Sequence, residues 1–255
     1  MEPSPIPAPT LTSAPTPVPR RDDYATFDQL FAKGASAVLG GEHGIEVPPE
    51  QGGRRYGVSA VLRPDPQAAA AIEAVARDAA AVAGAGHWLT GAADSSHLTM
   101  RALEWPRGEQ VGSEDPCVER YVAALRTALV GIGPLEFTVT GLTLTTLSVM
   151  ACALPVGDAP DRLSAAFAEA LGPDAWFEHD LGFHRGIWYL NVLHFAAPIR
   201  QPRALVDWVA ERRTGTPVPV RVPEVEIVAW RFTGAGMTPV RLAAVAVPET
   251  CRDWA

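Results

Sequence analysis

Hydrophobic residues along the chain follow two different periods, which predicts a fold of mixed helices and strands. Apolar residues recur every three or four positions in segments that predict helices at about 24–39, 66–86, 117–133, 159–171 and 202–213. Apolar, largely β-branched runs bounded by Gly or Pro predict strands at 56–64, 95–105, 186–199, 222–232 and 237–248. Residues 135–155 predict two further strands, joined near Gly141 by a hairpin or a bulge.

The order of these elements is repeated along the chain. Helix, strand, helix, strand, strand occurs once in the first half and again in the second. Such duplication predicts two similar lobes with a ligand-binding cleft between them. We therefore predict an α+β fold over residues 54–250, bilobal and duplicated, with two antiparallel sheets, helices on the outside and a central cleft. One pseudo-symmetric lobe would take about 54–135 plus the terminal hairpin strands, and the other about 136–250.

The N-terminal region differs in composition from this domain. Residues 1–21 are rich in proline and poor in large apolar side chains, which predicts a disordered tail. Residues 22–53 would form one helix and a linker rich in Gly and Pro. The prediction is thus a single domain preceded by a tail and a short helical segment.

Charge and cysteine content exclude some functional classes. The formal net charge of -8 argues against extended nucleic-acid binding, because such binding needs many Lys and Arg residues on phosphates. The three cysteines lack the spacing of a metal site or a disulfide framework. Neither a signal peptide nor a membrane span is indicated, so we predict a cytoplasmic protein without a membrane partner. The oligomeric state stays open.

His97 lies in the most suggestive chemical context of the six histidines. In the predicted strand containing His97-Leu98-Thr99-Met100, the two-residue period places His97 and Thr99 on one face. A histidine transfers protons near neutral pH, and a threonine hydroxyl donates hydrogen bonds to phosphate oxygens. The pair alone is a weak signal, because a hydrogen-bonded structural pair has the same pattern.

The surrounding elements strengthen that signal. The strand SSHLTMRAL follows an Ala-rich helix and the strand YGVSAVLRP, and this order resembles the first lobe of the two-histidine (2H) phosphoesterase superfamily, which includes bacterial 2'-5' RNA ligase-like proteins and cyclic phosphodiesterases. The resemblance covers roughly residues 54–250. It implies a metal-independent site with no cofactor, in which two His-x-Thr/Ser motifs face each other and the two histidines serve as general base and general acid. His97 and Thr99 match the first motif.

The second motif is degenerate in this sequence. If the strand at 186–199 is aligned with the first motif strand, the histidine position falls on Tyr189, with Asn191 in place of the hydroxyl residue, or on His194, which is followed two residues later by alanine. Tyrosine, with a usual pKa of about 10, is a poor base at neutral pH but can donate a proton. Because Tyr189 and His194 are five residues apart, only one of them should face the cleft unless a bulge intervenes.

Two arginines are secondary candidates for substrate binding. Arg101 would share the face of Thr99 by the two-residue period, and Arg185 follows a Gly-containing loop ahead of the second motif strand. The tryptophans Trp88, Trp188 and Trp230 are interpreted as core residues. The sequence contains no metal motif, Gly-rich phosphate loop or dinucleotide-binding motif.

The resemblance implies an enzyme that acts on a cyclic or 2'-5'-linked nucleotide-like phosphodiester, with His97 as acid or base. The lost second motif supports an alternative, in which the same scaffold carries out a non-hydrolytic cyclisation or elimination, or binds a small ligand. In both cases the expected partner is a small molecule.

Overall fold

A computed structural model describes residues 21–49, 57–104, 111–180, 182 and 185–249. Residues 1–20 of the predicted disordered tail lie outside these residues, and its last residue, Arg21, begins a helix. The helices are α1 (Arg21–Gly40), α2 (Pro66–Ala83), α3 (Pro116–Ala128), α4 (Ala159–Leu171), α5 (Trp176–Asp180) and α6 (Pro202–Ala210). The strands are β1 (Val58–Leu62), β2 (Leu98–Glu104), β3 (Leu135–Leu144), β4 (Ser148–Pro155), β5 (Trp188–His194), β6 (Val218–Val222), β7 (Glu224–Phe232) and β8 (Met237–Ala246).

These strands form one antiparallel sheet in the order β6-β3-β4-β5-β2-β1-β7-β8. The α+β fold class is confirmed. The prediction of two separate sheets is not confirmed, because β2 and β5 pair edge to edge, at Leu98 and Leu190, and so join the two four-stranded halves. Each half contains a strand-helix-strand unit, β1-α2-β2 in one and β4-α4-β5 in the other. The two candidate motif strands are therefore neighbours at the centre of the sheet.

Local sequence signals define the helix ends beside the motif strands. Helix α2 begins after Asp65, whose side chain accepts hydrogen bonds from two backbone amides of the first turn, and Pro66 takes the first helical position. The helix ends at Gly84, which has a positive φ that glycine adopts readily. Asp115 and Pro116 start α3 in the same way. The five predicted helices are present, although α3 ends at Ala128 and not at the predicted residue 133, and the short helix α5 was not predicted. No described helix is long and apolar enough to span a bilayer.

The Thr-rich region resolves one alternative that the sequence left open. The turn between β3 and β4 lies at 145–147, whereas Gly141 is inside β3 at a shift in the pairing register. It is therefore a bulge and not the hairpin turn. A Cβ at this position would lie 2.1 Å from the carbonyl oxygen of Arg213, so only glycine lets the loop after α6 pack against β3.

Strand β6 was not predicted from the sequence. Its segment, VPVRV, contains a proline and follows another, and prolines are typical of loops. Because β6 is an edge strand and pairs only with β3, Pro219 needs no partner for its missing amide. Edge position thus explains why a proline-containing segment joins the sheet.

A large hydrophobic core supports the two motif strands from behind. Leu98 and Met100 of β2, and Leu190 and Val192 of β5, are buried in a cluster with the Ala-rich face of α2. Leu98 and Leu190 have no exposed surface. The residues on either side of each leucine consequently face the other side of the sheet, where the candidate site lies.

Candidate active site

A cavity of about 420 Å³ lies where the two halves of the sheet meet. Motif residues from both central strands line it, together with aromatic and acidic side chains from neighbouring elements. The lining contains all but one of the predicted site residues: His97, Thr99, Arg185, Tyr189, Asn191 and His194. The structure therefore brings together residues that are about 90 positions apart in sequence.

His97 has a defined tautomer and a defined surrounding. It lies directly before β2, and its Nδ1 is 2.7 Å from the carbonyl oxygen of Ser95. Since a carbonyl only accepts hydrogen bonds, Nδ1 of the neutral ring is the donor, and Nε2 carries the lone pair. The ring of Trp230 packs against the imidazole at 4.9 Å between centroids. The indole Nε1 of Trp230 donates a hydrogen bond to the Ser59 hydroxyl. These contacts hold the imidazole in one orientation at the cavity wall.

The same surroundings lower the pKa of His97 to about 4, and the largest cause is desolvation by burial. The hydrogen bond with the Ser95 carbonyl opposes this shift, and the positive charges of Arg63 and Arg185 add to it. His97 is consequently neutral at physiological pH. A neutral imidazole with an unprotonated Nε2 can accept a proton but has none to give from that nitrogen.

Arg63 fixes the loop that presents His97. Its guanidinium donates to the carbonyl of Ser96 at 2.6 Å and to that of Asp94 at 2.7 Å. It also lies 3.7 Å from a carboxylate oxygen of the buried Glu226. The charge that depresses the pKa of His97 therefore also positions its loop.

On the second motif strand, Tyr189, Asn191 and His194 all line the cavity. Residues five apart in a strand share a face only if a bulge lies between them, and β5 contains such a bulge. Asn191 pairs with Met150 and Leu193 with the adjacent Val149, so Val192 is an extra residue in β5. The bulge shifts the alternation by one residue and turns both Tyr189 and His194 toward the cavity.

The pairing of the central strands decides which residue is equivalent to His97. An antiparallel pair has a local two-fold axis, and the Leu98–Leu190 pair lies on it. Each leucine is preceded by a cavity residue, His97 or Tyr189, and followed by another, Thr99 or Asn191. Tyr189 is therefore the positional counterpart of His97, and His194 is an additional histidine.

The prediction that Arg101 shares the face of Thr99 is wrong, and a bulge in β2 explains why. Thr99 pairs with Val61 and Arg101 with the adjacent Ala60, so Met100 is an extra residue in β2. After this bulge Ala102, and not Arg101, follows Thr99 on the cavity face. Arg101 lines a separate cavity, on the side of the sheet that Met100 faces.

Arg185 enters the cavity through a buried ion pair that the sequence analysis missed. Its Nε and Nη2 lie 2.8 and 2.7 Å from Oε1 of Glu178, which also accepts a hydrogen bond of 2.8 Å from the Ala102 amide. Glu178 is 5% exposed and belongs to the five-residue helix α5. So short a helix has no periodic signal, and only the acidic residue seven positions before Arg185 hinted at the pair.

Aromatic side chains form much of the remaining wall. Trp88 and Trp230, interpreted from sequence as core residues, line the cavity with Phe177, whereas Trp188 faces the opposite side. Glu104 adds a carboxylate to the lining. The cavity thus combines flat apolar surfaces with a histidine, hydroxyls, an arginine and carboxylates. Among the described residues, no three His, Cys, Asp or Glu side chains converge to form a metal site.

Comparisons with known proteins identify the fold. No protein-family model matches the chain, and no curated protein sequence matches it. Among solved structures, TT0787 of Thermus thermophilus is similar with a TM-score of 0.52 and 15% identity, over 75% of this chain and 97% of that chain. E. coli LigT complexed with 3'-AMP gives a TM-score of 0.42 and 15% identity, over 76% and 98%. The predicted resemblance is confirmed at the level of the fold alone, which this chain shares with TT0787.

Proposed function

We propose that the chain is a metal-independent phosphodiesterase-like enzyme that acts on a cyclic or 2'-5'-linked nucleotide-like phosphodiester. The observation that carries this proposal is His97, a neutral imidazole of fixed tautomer beside a hydroxyl and a guanidinium in the cavity between the lobes. The resemblance of the His97 motif and its flanking elements to 2H phosphoesterases also supports a phosphoesterase scaffold.

In the proposed reaction His97 is the general base. Its Nε2 takes a proton from a water molecule or a ribose hydroxyl, which then attacks phosphorus. Thr99 and Arg185 donate hydrogen bonds to the non-bridging oxygens, and a guanidinium stabilises the negative charge that develops there. The Glu178 carboxylate holds the guanidinium against the cavity wall.

The leaving oxygen needs a proton donor, and two residues are placed for this role. Tyr189 occupies the position equivalent to His97 and carries a hydroxyl that donates directly. His194 also lines the cavity and supplies an imidazolium if protonated. In either case base and acid come from different lobes.

A second function is favoured by the equivalence of Tyr189 to His97. With tyrosine and asparagine at the second motif, the cavity lacks the pair of imidazoles in equivalent positions. The scaffold would then catalyse a non-hydrolytic cyclisation or elimination assisted by His97, or bind a small ligand without turnover.

A direct assay separates the two functions. The purified full chain is incubated with 2',3'-cyclic nucleotides and 2'-5'-linked dinucleotides in the presence of EDTA. The first function predicts turnover that falls by about 10²–10⁴-fold in His97→Ala, the range expected for loss of a general base. The matched control is His43→Ala, because His43 does not line the cavity. Wild-type binding without turnover supports the second function, and equal activity of wild type and His97→Ala contradicts the first.

The proton donor is identified by two further variants. If Tyr189 is the acid, Tyr189→Phe lowers kcat and His194→Ala has a small effect, and the reverse result assigns the acid to His194. A leaving group that needs no protonation, such as p-nitrophenolate, should restore the rate of whichever variant is impaired. Absence of such rescue would contradict a role as general acid.

A further inference from the structure

A second cavity, of about 250 Å³, lies on the opposite side of the central strands from the first. Met100 and Trp188 line it, and each alternates in sequence with a residue of the first cavity, Thr99 or Tyr189. Arg185 lines both cavities. The two cavities therefore adjoin at the guanidinium of Arg185. Strands β2 and β5 pair at Leu98 and Leu190.

One face of helix α4 forms the other wall. Asp161, Ser164, Ala165 and Ala168 line the cavity, and their spacing places them on one side of the helix. Ala165 and Ala168 present only methyl groups to the cavity. The cavity thus has a polar end at Asp161 and Ser164, and a small apolar side.

Arg101 is the unusual residue of this cavity. Its Nε is buried and has no hydrogen-bond partner. Buried donors are nearly always satisfied in folded proteins, by protein, water or ligand. With Arg185 it puts two guanidinium groups on one small space, an arrangement suited to an anion with several oxygens.

Asp161 restricts which anion fits. Its Oδ1 accepts a hydrogen bond of 3.0 Å from Nε1 of Trp188, so the carboxylate is held at the cavity wall. A carboxylate repels a fully ionised anion but accepts a hydrogen bond from one that carries a hydroxyl. Phosphate monoesters, with a second pKa of about 6, keep a P–OH group in part of the population near neutral pH. Sulfate has no such proton.

We propose that this second cavity is a binding site for a protonated phosphate group, either inorganic phosphate or a phosphate monoester. Arg101, Arg185 and Ser164 donate hydrogen bonds to its oxygens, and Asp161 accepts one from the P–OH. The site does not depend on the reaction proposed for the first cavity. A phosphate bound here lies beside Arg185 and therefore next to the reaction cavity.

Calorimetric titration of the full chain with inorganic phosphate at pH 6.5 tests the site. The double variant His97→Ala/Thr99→Ala removes two polar groups of the first cavity and should retain one phosphate-binding event. Adding Arg101→Gln should weaken that event at least 10-fold, whereas adding Arg77→Gln, on the exposed surface of α2, should leave it unchanged. Equal affinity with and without Arg101→Gln would overturn the proposal.

Two further arms test the size and the proton requirement. Ala165→Leu fills the cavity and should also weaken binding at least 10-fold without changing any charge. Sulfate should bind at least 10-fold more weakly than phosphate. In Asp161→Asn, whose side-chain oxygen can still accept the hydrogen bond from Trp188, the affinities for the two anions should differ by no more than about 3-fold. Sulfate binding as tightly as phosphate to the protein with Asp161 intact would refute the role of the P–OH.

The pH dependence and a monoester complete the test. Phosphate affinity should fall between pH 6 and pH 8, in step with loss of the monoanion, and sulfate affinity should not. If glycerol 3-phosphate binds and Arg101→Gln weakens its binding, the site accepts phosphate monoesters. If inorganic phosphate binds and glycerol 3-phosphate does not, the site is specific for the free ion. Phosphate affinity that rises with pH would contradict the proposal.

Discussion

The depressed pKa of His97 makes the stability of the protein depend on pH in a predictable window. The folded-state pKa is about 4 and the unfolded value about 6.5. Between these values the unfolded chain binds more protons at this position than the folded chain, so stability falls as the pH falls. Above about pH 6.5 the histidine is neutral in both states and the effect is absent.

The size of the effect follows from the shift. A difference of about 2.5 pKa units corresponds to about 3 kcal/mol once the pH is below 4, and to about 2 kcal/mol at pH 5. The variant His97→Gln keeps a group that can donate to the Ser95 carbonyl but does not titrate. Relative to its own value at pH 7, the variant should therefore lose about 2 kcal/mol less stability than wild type at pH 5.

Urea unfolding at pH 7, 6 and 5 measures this difference, because the carboxylates titrate alike in both proteins. Direct NMR titration of His97 gives the midpoint independently, and Arg185→Gln should raise it, since a positive charge that opposes protonation is removed. The acid limb of kcat/KM should follow the same midpoint. Parallel stability curves, or a midpoint within one unit of 6.5, would refute the assignment of His97 as a buried neutral base.

Three other predictions concern the supports of the site. Glu178→Gln should lower the free energy of unfolding by about 2 kcal/mol, because a buried charge-assisted pair is lost. In the control variant Glu73→Gln, which removes the exposed ion pair with Arg77 on α2, the free energy of unfolding should fall by less than about 0.5 kcal/mol. Gly141→Ala should lower the free energy of urea unfolding by about 3 kcal/mol, since the new Cβ would overlap the backbone of Arg213. Gly131→Ala should lower it by about 1 kcal/mol, because the space around Gly131 is open and only its positive φ disfavours alanine. Arg63→Met should accelerate amide hydrogen exchange in the loop before β2, and unchanged protection there would contradict its anchoring role.

The elements of the fold were predictable wherever a segment carries a clear period. Helix α2, with its Asp65 cap, Pro66 start and alanine-rich sequence, and the hairpin of β7 and β8 were found from local pattern alone. Strand β6 was missed because its prolines signal a loop unless the edge position is known. Whether the halves form one sheet or two depends on a single long-range pair, Leu98 with Leu190, which no local pattern encodes.

The site was predictable in its residues but not in its geometry. His97 and Thr99 share a face because they precede the bulge in β2, and the same period fails at Arg101 because it follows the bulge. Bulges leave no residue-type signal here, since Met100 and Val192 are ordinary strand residues. Residues of α5 and β7 also line the cavity, but these elements are distant in sequence from the motif strands. Local pattern therefore did not indicate that they belong to the site.

The bulges at Met100 and Val192 also explain which side chains of the central strands line the cavity. Met100 in β2 and Val192 in β5 occupy equivalent positions relative to the Leu98–Leu190 axis, so the two halves of the sheet share the same backbone distortion. The residue that the bulge turns toward the cavity is Ala102 in one half and His194 in the other. The cavity therefore contains two imidazoles, those of His97 and His194, although the position equivalent to His97 holds a tyrosine. The second imidazole therefore lies four residues after Leu190, beyond the bulge, where no His-x-Thr pattern marks it in the sequence.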